Sequence, residues 1–242
     1  MRPLYIVCSL LLLLSSCAHT RQTMLLGDHP RRDLQHKPFK TWFDKNYAAY
    51  TIDQDTIRLL RPLLTDLSFE IFMGTWCPDS RREVPRMLKI LDSCHVSPDH
   101  IRIIMVDYRD SVYKQSPGHE ERGRDIEHVP DLLVFDQGVE KGRIVESPVV
   151  TLPHDLLAIA AGTGYTPNYA GTHWLSEHLD QYPIDALADS LRDKPGPHNL
   201  LTYGKVLCSA GDTAHAVFVW KLSEVLYPKD TLAPRFLRRI HQ

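Results

Sequence analysis

Cys77 stands inside Glu70–Met87, EIFMGTWCPDSRREVPRM, where a short apolar run ends in Gly-Thr-Trp and a helical pattern begins. The thiolate is the nucleophilic form of cysteine, and a helix N-terminus stabilises it through free N–H groups and the helix dipole. Attack on a disulfide then gives a mixed disulfide with the partner. Resolving that bond from within the chain needs a second thiol close by, and Ser80 occupies the position three residues on. Its hydroxyl can donate to a Cys77 thiolate without resolving anything. Cys94 lies 17 residues along the same pattern, roughly 25 Å away at 1.5 Å per residue, and Cys208 belongs to another region. What remains is monothiol chemistry: slow exchange, or isomerisation in which a thiol of the partner returns to release the mixed disulfide. The other reading is an inert cysteine in a scaffold, because reactivity requires an electropositive, accessible setting. Arg81 and Arg82 add positive charge one turn away, and Asp79 opposes it.

The elements that must position Cys77 follow from periodicity. SFEIFMG is a short buried-strand pattern, and a helix opens around Cys77 and runs to about Ser93 with Val84, Met87, Leu88 and Leu91 on its core face. IRIIMVDY is the strongest strand, and a polar stretch from Arg109 to His128 precedes Val129-Pro130 and the strand DLLVFD. Gly138 turns that strand into GRIVES, a hairpin partner. PHDLLAIAAG follows as a helix with Pro153 in its first turn and Gly162 beyond its end. Upstream, Ile57, Leu60 and Leu64 share a helical face with Asp53 or Asp55 as cap. FKTWFDKNYAAY is a packed turn or helix. The result is an α/β unit over 39–165. Beyond it the strand signals stop, and THWLSEHLDQY, IDALADSL and the long segment from His198 to Pro228 are all helical patterns.

With 242 residues the chain can bury a substantial core, and a net charge of −2 carries no nucleic-acid footprint. MRPLYIVCSLLLLLSSCAHT resembles a bacterial lipoprotein signal: Arg2, a short apolar stretch, then Leu14-Ser15-Ser16-Cys17. That resemblance implies removal of 1–16, lipid attachment at Cys17, and a location in the cell envelope facing the periplasm; the stretch to 38 is polar, broken by Gly and Pro and without periodicity, so 17–38 is expected as a membrane tether. The alternative is an ordinary signal peptide. Export leaves Cys77, Cys94 and Cys208, an odd number for an oxidising compartment. His173 and His178 are badly spaced for one helical face, and no Cys/His cluster has zinc-site form, so no metal or other cofactor is expected.

Trp76-Cys77 between strand and helix, Pro85 eight residues on, and Val129-Pro130 before a later strand together resemble the thioredoxin superfamily. GTWCPDSRREVPR and GRIVESP are similar to exported bacterial thioredoxin-like proteins with Cys-x-x-Ser sites. The resemblance implies a thioredoxin-like fold, a central mixed sheet flanked by helices, with Cys77 as nucleophile. It also implies a cis peptide at Pro130 and a substrate cradle of Trp76, Pro78, Val129 and Pro130. His128 then lies on the loop bordering the nucleophile, a modulator by position but more commonly a surface residue by type. The family's buried aspartate before the nucleophile is replaced by Ile71, so both the resolving thiol and its proton acceptor are missing.

Gly204, Gly211, Ala216, Trp220 and Pro228 repeat the offsets 7, 5, 4 and 8 of a tetratricopeptide unit. Residues 166–242 are accordingly expected as a small all-α tetratricopeptide-like region, either a groove for a protein partner or a C-terminal cap. The expected partners are exported proteins with thiols or disulfides, and the membrane through the lipid.

Overall fold

A computed structural model describes residues 24–194 and 197–240; Cys17 and the apolar stretch before it lie outside them. In chain order the elements of the first unit are β1 (Gly27–Asp28), α1 (Lys40–Ala49), α2 (Gln54–Leu64), β2 (Ser68–Met73), α3 (Pro78–Ser93), β3 (Ile101–Met105), β4 (Asp131–Asp136), β5 (Val139–Val145) and α4 (Leu152–Ala161). The unit is α/β. Its five-stranded mixed sheet has the order β1-β3-β2-β4-β5, with β2 and β3 parallel and the other pairs antiparallel.

Alternation along the strands divides the apolar residues between two faces. Ile71, Met73, Ile103, Met105, Leu132 and Val134 join α1 to α4 in the main core. Phe72, Ile104, Leu133 and Phe135 point the other way, into a smaller cluster with Val106, Ile126, Val129 and Cys77. Val84, Met87, Leu88 and Leu91 of α3 are all buried in the main core, each worth roughly 1.5–3 kcal/mol of transfer. Asp53 caps α2 by accepting from the N–H groups of Asp55 and Thr56. Gly162 ends α4 in the left-handed conformation, φ 66°.

The stretch read as a tether departs from that expectation over its described part. Gly27 and Asp28 pair with Met105 and Ile104 at the sheet edge, Leu34 is fully buried, and Arg31 donates to both oxygens of Asp92 at 2.8 and 2.7 Å. These are tertiary contacts made by a segment without periodicity of its own.

The second unit comprises α5 (Ala170–His178), α6 (Ile184–Leu191), α7 (Pro197–Ser209), α8 (Thr213–Leu226) and α9 (Leu232–Ile240). Leu175, Leu187, Leu191, Leu200, Tyr203, Val219 and Leu222 form its core. A Cβ on Gly204 would meet the Trp220 indole nitrogen at 2.4 Å, so α7 can approach α8 only with glycine there. Trp220 stacks on Phe236 of α9 with centroids 5.0 Å apart, a helix the sequence reading did not anticipate. The two units meet through the loop after β3. Gln115 donates to Ser209 O and Oγ at 2.5 and 3.0 Å, Ser209 Oγ donates to Tyr113 O at 3.1 Å, and Lys205 pairs with Asp110 at 2.7 Å.

Candidate functional site

The turn from β2 into α3 is built by short-range bonds. Cys77 N–H donates to Gly74 O at 2.9 Å, and Cys77 O accepts from Arg81 N–H at 3.0 Å, which opens the helix. Cys77 is the N-cap residue, extended at φ −81°, ψ 124°, with Pro78 at the first helical position. Its side chain does not cap the helix; the thiol instead donates across to Val129 O at 3.2 Å. The Val129–Pro130 peptide is cis, as the resemblance implied. Cys77 is 7 % exposed, Val129 and Pro130 are buried, and Pro78 is exposed. Trp76 is half-buried, donates from Nε1 to Val106 O at 2.8 Å and meets Tyr108 edge-on. Its indole lies so close to Gly74 that any Cβ there would collide with it.

Ser80 is tied to the turn through its acceptor side. Its buried Oγ accepts from Gly74 N–H at 3.2 Å and makes no hydrogen bond to Cys77 among the described residues. One turn into α3, the hydroxyl faces back to the strand end and ties down the turn. Cys94 is buried at the other end of α3, and burial pushes its thiol up to about 11, with Arg61 opposing. Cys208 lies on α7, and all three described cysteines are free. Ile71 sits in the main core.

The charges first read around Cys77 are mutually engaged. Arg82 pairs with Asp79 at 2.8 Å and Glu83 at 2.6 Å, while Arg81 Nε donates to Thr75 O at 2.6 Å. A different set, scattered in sequence, surrounds the site. Lys114, in the loop after β3, is buried with its ammonium 4.8 Å from the Trp76 ring centroid and 5.2 Å from that of Tyr113. Burial lowers its pKa to about 8, while charge on Cys77 and then Glu146 acts in the opposite direction. Glu146 follows β5; the His128 hydrogen bond above all holds its carboxyl below the usual range, and the Tyr169 hydroxyl also donates to it. His128 stacks on Tyr169 with centroids 3.9 Å apart and is half-buried, so it is not the surface histidine its residue type favours.

Two buried acids lie beyond. Asp131 follows Pro130 and pairs with Arg143 at 3.2 Å, its carboxyl raised by burial despite that partner. Among the described residues Glu127 Oε2 has no hydrogen-bond partner, and burial raises this acid well above the ordinary range, with Thr172 opposing. A cavity of ≈ 440 Å³ opens between the loop and α7, lined among others by Tyr113, Lys114, Ile126, Glu127, Tyr203 and Leu207.

Periodicity could have found none of Lys114, Glu146 or Tyr169, because their proximity is tertiary. Among the described residues no group of three His, Cys, Asp or Glu is placed to hold a metal ion, and no helix is long and apolar enough to cross a membrane. Compared with protein-family models, curated proteins and solved structures, the chain matches none.

Proposed function

We propose that the protein is an envelope lipoprotein whose thioredoxin-like unit carries out slow monothiol exchange or isomerisation of disulfides in exported proteins through Cys77. The observation that carries this reading is the thiol at a helix N-cap, 3.2 Å from the carbonyl of Val129 beside Pro130. The order β3-β2-β4-β5, with a helix after β2 that opens at a cysteine and a cis-proline before β4, supports the thioredoxin-like assignment of 39–165. The resemblance of the N-terminal segment to a lipoprotein signal supports attachment at Cys17. In the reaction the Cys77 thiolate attacks one sulfur of a partner disulfide. An S–S bond forms to Cys77, the partner's S–S bond breaks, and its second sulfur leaves as a thiolate. That thiolate, or another from the partner, then attacks the mixed disulfide and releases Cys77. No net oxidation occurs, and no second cysteine in the chain is required. Because Ser80 Oγ only accepts from Gly74 N–H, its hydroxyl proton stays free to donate to a Cys77 thiolate.

A second reading is favoured by the 7 % exposure of Cys77: a non-catalytic binding module, with the tetratricopeptide-like helices as the partner surface. One experiment separates them. A disulfide-containing peptide is offered to wild type and to the Cys77→Ala and Cys94→Ser variants, and covalent adducts are scored by mass under non-reducing conditions. Exchange requires adducts in wild type and Cys94→Ser and none in Cys77→Ala. Absence from all three, with unchanged binding of protein partners by Cys77→Ser, establishes the module instead.

A further inference from the structure

Among the described residues no carboxylate pairs with the ammonium of Lys114. Its residue is 5 % exposed and sits at φ 61°, fixed by a bond from its own N–H to Asp107 O and one from Asp107 N–H to Gln115 O, each 2.9 Å. Among the described residues its ammonium makes no hydrogen bond or ion pair. It lies between the faces of Trp76 and Tyr113, which attract a cation without neutralising it. The other cations nearby are engaged: Arg82 by Asp79 and Glu83, Arg81 by Thr75 O, and Lys205 by Asp110. Glu146, the carboxylate whose charge acts on Lys114, is already bound by His128 and Tyr169. Trp76 precedes Cys77 in the chain, so the face that holds the ammonium belongs to the same turn that holds the sulfur.

The Val129 carbonyl can accept from a Cys77 thiol but offers nothing to a thiolate. When the proton leaves, the free N–H groups at the start of α3 and the Lys114 ammonium on the Trp76 face act on the negative sulfur by charge. We infer that Lys114 is the specificity-determining cation of the Cys77 site, and that it selects exchange partners whose reacting sulfur is flanked by acidic groups. The inference rests on the exchange reading of Cys77. Lys114 acts on the approaching partner by charge; on Cys77 it is a positioning residue.

The test uses the full chain and three small disulfides of one chemistry and different charge: 3,3′-dithiodipropionate, 2-hydroxyethyl disulfide and cystamine. Each reacts by the same balanced step, RSSR plus the Cys77 thiolate giving the Cys77–SR disulfide and RS⁻, and adducts are located at Cys77 by peptide mass spectrometry. In wild type at low ionic strength the rates run anionic, neutral, cationic, spanning about tenfold or more, and the span contracts as salt screens the charge. Lys114→Met brings the three rates within about twofold of one another, and Lys114→Arg restores the order. An unchanged span in Lys114→Met, or an equal slowing of all three, overturns the inference. If no disulfide reacts in any variant, the exchange reading fails by itself. The ratio of iodoacetate to iodoacetamide alkylation at Cys77 then decides the inference: a ratio that falls in Lys114→Met and returns in Lys114→Arg upholds it, and a ratio indifferent to Lys114 overturns it.

Discussion

Replacing Lys114 by methionine should make the protein more stable at neutral pH. Burial lowers the lysine from its ordinary 10.5 to about 8, which at about 1.4 kcal/mol per tenfold is a penalty of roughly 3 kcal/mol on the folded charged form. The sign follows from proton counts. Below about pH 8 both states bind the proton, and the fold carries the full penalty. Between about 8 and 10.5 the unfolded chain still binds the proton while the folded one has released it, so stability rises with pH; above 10.5 the penalty is gone. Methionine keeps most of the buried stem volume, and the attraction of the Trp76 and Tyr113 faces acts only on the charged form and so is already part of that difference. The net expectation is a gain of up to about 3 kcal/mol at pH 7 that falls to about 1 kcal/mol near pH 10. Urea unfolding of both proteins at pH 7 and pH 9.5 reads it directly. A Lys114→Met variant less stable than wild type at pH 7, or an offset that ignores pH, would refute the account of Lys114 as a costly, unmatched charge. A stabilising substitution that also removes partner selection is the trade expected of a residue kept for function.

Two further substitutions test the buried acids. Arg143→Met leaves Asp131 buried without its cation and should cost about 3–5 kcal/mol in urea unfolding at pH 9, a loss that shrinks as pH falls toward about 7 and Asp131 takes up a proton; a loss under about 1 kcal/mol at pH 9 would show the pair to be dispensable. Glu127, raised by burial, should give wild type a stability that falls as pH climbs above the ordinary glutamate range, because the unfolded chain loses that proton first. Glu127→Gln should flatten that fall and gain about 1–3 kcal/mol at pH 8, and a pH profile unchanged by the substitution would mean the acid titrates normally.

The route from residues to site was legible where chemistry is local. Pro78 at the first helical position, the spacing of Val84, Met87, Leu88 and Leu91, and Gly162 after α4 each act within a turn or two, and the helices lie where those signals put them. The apolar runs of β2, β3 and β4 identified themselves because each is buried on both faces. The edge strand Gly27–Asp28 is only two residues long, and Leu34 is a lone apolar residue in a polar stretch, so neither shows a period. The ring of Lys114, His128, Glu146 and Tyr169 drew three loops together, and a polar loop read alone looks solvated. Ser80 was placed correctly in the chain, but its partner depended on which way the hydroxyl turned. The spacing of Leu232, Phe236 and Ile240 was the available signal for α9.

The loop that carries Lys114 is gripped at both ends of one short segment by α7, Asp110 by Lys205 and Gln115 by Ser209. Mechanically this is a lever. A partner that grasps the helical unit and tilts α7 moves the backbone on either side of Lys114, and with it the cation on the Trp76 face, without touching Cys77. The same grip means that the gene cannot be cut cleanly after residue 165: an isolated α/β unit would keep its cysteine and lose the hold on its own loop.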